Sequence, residues 1–186
     1  METALSIALG LGLAAACGFR VFVPLLVVSI AARTGQLTLG ESFEWIGSTP
    51  ALVVLIGATL AEVAAYYVPW LDNLLDTIAT PAAVIAGAVL AASVVTGMSP
   101  WLKWTLAAIA GGGLAGAVQL STTAARGAST MFTGGLGNVA VASLELVGAV
   151  GLSILSVAWP LVAIVPVGAV LLLIARRRSP TASAPG

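Results

Sequence analysis

Leu71-Asp72-Asn73-Leu74-Leu75-Asp76-Thr77-Ile78-Ala79-Thr80-Pro81-Ala82-Ala83 is the stretch on which the reading of the fold turns. Two carboxylates and an amide interrupt a greasy sequence. Thr80-Pro81 then reads as a helix start, with a capping hydroxyl and a Pro in the first turn, where its missing N–H is no loss. Ser48-Thr49-Pro50 carries the same signal. The two starts divide the first half of the chain into apolar segments at about 5–32, 50–70 and 81–97. Beyond Ser99-Pro100-Trp101 follow segments at about 102–124, 139–158 and 160–175, the last two separated by Trp159-Pro160. Each is close to the ~20 residues that cross a bilayer. The expected fold is therefore all-α: a polytopic membrane helix bundle of about six transmembrane helices in one domain, 1–178, with a disordered cytoplasmic tail at 179–186.

Composition supports the bilayer as solvent. Of 186 residues 60% are hydrophobic and only 8% charged, with a mean hydropathy of +1.12. A soluble domain carries about 25% charged residues. Seven basic and seven acidic residues balance, so there is no basic face for nucleic acid. There is no His, and the single Cys17 forms no internal disulfide. Leu13-Ala14-Ala15-Ala16-Cys17 has the look of a lipoprotein cleavage site, but no Lys or Arg precedes it and the apolar run continues through Leu26. It reads as a retained membrane helix. The triplet Arg176-Arg177-Arg178 puts the C-terminus in the cytoplasm. An even number of spans would put the N-terminus there too, with Arg126 in a cytoplasmic loop.

Polar residues at lipid depth are the candidates for function. Arg20 lies inside the first segment between Gly18 and Pro24, where a kink or break is expected. A charge in a span costs at least ~2.5–3.5 kcal/mol and faces a partner or water. Glu62 and Glu145 are the candidate partners, and a purely structural ion pair is the alternative. Asp72 and Asp76, four apart, share a helix face. With Asn73 and Thr80 they form a candidate ion path, or else solvated carboxylates at the interface beside Trp70. Thr133-Gly134-Gly135-Leu136-Gly137-Asn138 precedes a helix and offers backbone N–H groups as an anion cradle. The alternative is a linker capped by Asn138. No spacing matches a metal site, a nucleotide loop or a cofactor motif. Helix ends at Thr49, Thr80 and Gly135 are expected to meet near the midplane, as in transporters built from broken helices. Weak similarity of Gly10–Ala16 to Gly111–Ala117 suggests an inverted 3+3 repeat with halves 1–98 and 99–178.

Ala15 to Leu25, Gly47-Ser48-Thr49-Pro50-Ala51, Pro69 to Ala82 and Gly134 to Asn138 together resemble the bacterial DUF4126 family over nearly the whole chain. The resemblance implies an integral protein of the bacterial inner membrane and no assigned chemistry. The reading favoured by the intramembrane charges is a small channel or secondary transporter for an ion or small polar solute, anions included, in a homo-oligomer. A non-catalytic membrane scaffold is the alternative. An intramembrane enzyme acting on lipid ranks last, since no nucleophile or acid–base pair is recognisable.

Overall fold

The computed structural model describes residues 2–178, and within them the side chains of all but 69–76, 173–175, 177 and 178. The expected tail at 179–186 lies outside the described residues. The described chain is all-helical: α1 Glu2–Cys17, α2 Phe22–Arg33, a 3-10 segment Glu41–Gly47, α3 Thr49–Tyr66, α4 Pro69–Val94, α5 Pro100–Leu106, a π segment Ala107–Gly112, α6 Gly113–Thr133, α7 Asn138–Ala158 and α8 Pro160–Arg178. Four stretches are long and apolar enough to cross a membrane: Thr49–Tyr66, Thr77–Val94, Pro100–Thr133 and Asn138–Ala158. Their outward faces carry Val54, Leu60, Ile85, Ile109 and Leu144, all exposed. That is how a helical membrane bundle presents itself to hydrocarbon.

The first segment departs most from expectation. It breaks at residues 18–21, as Gly18 and Pro24 suggested, but the break is a reversal rather than a kink. The start of α1 lies beside the end of α4, where the Thr96 N–H donates to Ser6 Oγ at 3.1 Å. Further along α1, Gly10 packs on Ala91 and Val94, and Phe19 reaches Gly148 on α7. The chain then turns back. The first residues of α2 meet Glu62, and at its end Arg33 donates to the Gly47 carbonyl and Thr49 Oγ1, both at 3.1 Å. α1 and α2 are therefore antiparallel arms of a hairpin, only ~24 and ~18 Å long at 1.5 Å per residue. Both arms open at one end of the bundle, here the upper end, with the connections 34–48 and 95–99. The lower end carries the turns at 67–68 and 134–137. A backbone reversal at this depth is tolerated only when protein surrounds it, and Leu13 to Cys17 are buried.

Further expectations are corrected. Thr80-Pro81 is not a helix start: α4 begins at Pro69 and carries Pro81 in its interior. Pro69 already supplies the first-turn proline, and the apolar surface of α1 and of the π segment holds α4 together through the missing Pro81 N–H. Thr49 thus lies at the upper end, Thr80 inside α4 and Gly135 at the lower end, so these do not meet. α6 continues through the polar stretch to Thr133, which puts Arg126 on a helix and not in a loop. Finally, α8 starts beside Gly12 and runs to the lower end, so the described N- and C-terminal helices finish at opposite ends, not the same one. Among the described residues the second half has no counterpart of the hairpin, since helix runs from Pro100 to Thr133 without a reversal.

Small residues set the central packing. A methyl group at Gly87 would stand 2.5 Å from Ala115 Cβ, and one at Gly111 2.7 Å from Ala91 Cβ. Without side chains there, α4 and the π segment touch backbone to backbone, the usual device where lipid offers no hydrophobic drive. Gly87→Val is expected to lower stability by about 1–3 kcal/mol through overpacking, whereas Gly57→Val, whose Cβ would meet nothing within 4 Å, leaves it nearly unchanged. Thermal unfolding of the two variants in detergent checks this.

Candidate functional site

The site grows from the hairpin tip. Gly18 lets the tip touch α6, because a Cβ there would lie 2.5 Å from the Ala115 carbonyl oxygen. The N-cap position of α2 is Val21, which has no side-chain acceptor. The first donors of a helix need partners, and they find them on another helix. The Val21 N–H donates to Glu62 Oε1 at 2.7 Å and the Phe22 N–H to Glu62 Oε2 at 3.1 Å. One carboxylate thus bridges two successive backbone donors at the positive end of α2.

Arg20, at the tip itself, is 2% exposed. Its Nη2 donates to the Ala142 carbonyl at 2.9 Å and lies 3.3 Å from Glu145 Oε2. Its guanidinium carbon stands 3.7 Å from the centroid of the Tyr66 ring. Nε and Nη1, which hold three of the five guanidinium N–H groups, have no hydrogen-bond partner among the described residues. Arg126, equally buried, pairs with the same Glu145 Oε2 and also faces Tyr66, 4.7 Å from the centroid. Two cations therefore share one carboxylate and one aromatic ring, while Glu62, one helical turn from Tyr66, lies within the electrostatic reach of Arg20. The buried face of α7 explains the convergence: Asn138, Ala142, Glu145 and Ala149 recur at helical spacing.

Below this cluster the polar side chains continue. The Asn138 Nδ2 donates to Thr130 Oγ1 at 3.0 Å, Thr130 Oγ1 donates to the Arg126 carbonyl at 3.0 Å, and the Tyr67 and Ser143 hydroxyls bond at 3.0 Å. Above it the hairpin is packed in Leu9, Leu13, Val28 and Leu90. Among the described residues the buried charges thus lie at Arg20 and below it, and the buried hydroxyls above, Ser29, Ser153 and Ser156, are taken up by the carbonyls of Ile46, Ala149 and Leu152. An apolar cavity of about 280 Å³, walled by Phe19, Val118, Gly148 and Leu152 among others, flanks the tip.

Of the residues singled out from sequence, Arg20, Glu62 and Glu145 come together, with Asn138 nearby. Asn138 does not cap α7; Gly137 holds that position. Asp72, Asn73 and Asp76 belong to the opening turns of α4, and their side chains lie outside the described residues. In the Thr133–Asn138 turn the N–H groups of Leu136, Gly137 and Asn138 already bond to the Thr133 carbonyl, Thr133 Oγ1 and the Gly135 carbonyl. Gly134 and Gly135 serve its left-handed backbone, at φ 62° and 92°. As folded, this cradle serves the chain itself. Arg126 and Tyr66 were missed. Gln119, Thr123, Arg126 and Thr130 recur at i, i+4, i+7 and i+11, a helical polar stripe that carries the helix of segment 102–124 on through residues whose polar composition alone reads as a loop. Among the described residues no three His, Cys, Asp or Glu side chains are grouped to hold a metal.

No curated protein and no solved structure matches the chain. Residues 7–179 match a family described only as a domain of unknown function, and the chain is accordingly a member of the DUF4126 family.

Proposed function

We propose that the protein is a small secondary transporter or channel for small anions, with the tip of the α1–α2 hairpin as its binding centre. The observation that carries this reading is Arg20: a cation buried at membrane depth, with Nε and Nη1 unpartnered, at the only reversal inside the bundle's apolar height among the described residues. A charge so placed is costly unless something uses it. The polar side chains from Arg126 to Asn138 give an anion an approach from the lower end, and movement of the hairpin against α4 and α7 would open the other side. No covalent chemistry is part of this function.

In this reading five helices cross the inner membrane of a bacterium, and the hairpin enters and leaves from the upper end. Arg176-Arg177-Arg178 sets the lower end in the cytoplasm. The peripheral helix α3, of which only Leu55 and Tyr66 are buried, joins copies into a homo-oligomer. The test is flux. Proteoliposomes holding the purified chain are expected to move acetate or chloride down a gradient faster than empty vesicles, and potassium no faster. Absence of acetate and chloride flux alike would overturn the proposal. A membrane scaffold is the second reading, favoured by Met131, Phe132 and Leu136, which stand 86%, 88% and 85% exposed around the α6–α7 turn. A stoichiometric partner recovered from native membranes, lost on Phe132→Ser, would support it.

A further inference from the structure

The cap on α2 has the geometry of a bound ligand. A carboxylate places one oxygen on each of two successive backbone N–H groups at the start of a 12-residue helix, and that carboxylate arrives from another helix on a three-bond tether. Arg20, buried beside it and stacked on the residue one turn along α3, keeps Nε and Nη1 without a hydrogen-bond partner among the described residues. The α2 N-terminus and this guanidinium are neighbours in the chain, and Glu62 hydrogen-bonds only the first.

We infer that Glu62 is a tethered occupant of a carboxylate-binding site, and that a small free carboxylate takes its place on the Val21 and Phe22 N–H groups beside Arg20 when Glu62 accepts a proton and swings out. This deepens the anion-transport reading and rests on it for its biological meaning. The planar two-oxygen acceptor already held there sets the ligand class. Charge sets the coupling: Glu62 gains one proton as one anion arrives, so the net charge of the buried site does not change. An exchange that altered it would work against a low-dielectric surround. Solute and proton therefore bind together.

The groups that bear on Glu62 are few. From the hairpin they are Cys17 and Arg20. On α3 itself Tyr66 lies one turn away, with Tyr67 beside it, and α7 contributes Glu145, already paired with Arg20 and Arg126. Glu41, Glu44 and Arg33 gather at the opposite end of α3, and the side chains of Asp72 and Asp76 on α4 lie outside the described residues.

The experiment is equilibrium binding of radiolabelled acetate to purified full-length protein in detergent, between pH 6 and 8. In the native chain the affinity is expected to rise as pH falls, by up to roughly tenfold per unit while Glu62 stays ionised. Glu62→Gln should bind at pH 7.5 about tenfold or more tightly than the native chain, with the pH dependence gone, because an uncharged side chain competes poorly for the two donors. Adding Arg20→Met to Glu62→Gln should abolish binding. A native affinity that does not change with pH, no acetate binding to any form, or binding indifferent to Arg20→Met would each overturn the inference. Should Glu62→Gln fail to give monodisperse protein, the pH titration of the native chain decides alone. Because binding is read without a membrane, proton-linked binding without flux would sink the transport proposal and spare this one, and flux with pH-independent binding would do the reverse.

Discussion

Glu145→Ala is expected to cost the fold about 3–5 kcal/mol, the range for removing one member of a buried ion pair, and to be the most damaging single change in the protein. Glu145 is 3% exposed, and its Oε2 is the carboxylate oxygen on which both Arg20 and Arg126 converge. Its loss leaves two guanidinium groups near one another, both against the Tyr66 ring, a contact worth about 2 kcal/mol for each when desolvated. Denaturant titration in mixed micelles reads the change. Glu145→Gln should fall between, since it keeps an acceptor and loses the charge. Replacing all three groups with apolar residues (Glu145→Leu with Arg20→Met and Arg126→Met) should recover much of the loss, because no buried charge then remains. A Glu145→Ala chain within about 1 kcal/mol of the native one would show that the cluster is not buried as described.

Arg20→Met is expected to do the opposite: spare the fold and destroy the function. Removing this guanidinium leaves Arg126 and Glu145 as a one-to-one pair and eliminates the donors at Nε and Nη1 that the fold leaves unused. Met is unbranched and fills irregular space well, so stability should shift by less than about 1.5 kcal/mol. Anion flux, by contrast, should fall at least tenfold, since a buried hydrogen-bonded charge partner is worth about 2–5 kcal/mol to a bound anion. A structural ion pair would give the converse pattern, with a large loss of stability and any remaining flux proportional to folded protein.

Much of this architecture was legible in the sequence because lipid imposes simple rules on it. Apolar length marked the helices and Trp159-Pro160 the last reversal. A charge among small residues marked Arg20, and the glutamates named as its partners stand in the same cluster. What failed were local signals whose outcome tertiary contacts decide. Thr80-Pro81 has the chemistry of a helix start, but Pro69 begins the helix twelve residues before Pro81 and packing against α1 carries it past the second proline. The hairpin was hidden because hydropathy records how long an apolar stretch is and not where it is heading. Residues 5–32 could cross once with a break, or enter and return. Long-range contacts distinguish the two, Ser6 with Thr96 at the start of α1 and Val21 and Phe22 with Glu62 at the tip, and those pairs are far apart in sequence. Arg126 was lost for a related reason: polar composition suggested a loop, although the period of the polar residues was helical.

Hairpin topology leads to a reading of site access. The charged cluster is about seven residues, or ~10 Å of helix, from the lower ends of α6 and α7, and it is screened from the upper end by the apolar arms of the hairpin itself. In the proposed function, an anion that reaches Arg20 from the lower end can leave at the upper end only if those arms move against their packed neighbours. Gly18 and Gly10, which hold the arms close to α6 and α4, are the positions where such motion would be resisted.

The most direct measurement is acetate flux into proteoliposomes, with native protein and Arg20→Met reconstituted at equal, verified amounts of folded chain. The account predicts flux for the native protein and at least a tenfold lower rate for Arg20→Met. Equal rates for the two would contradict it, because the buried cation at the hairpin tip would then play no part in moving the anion.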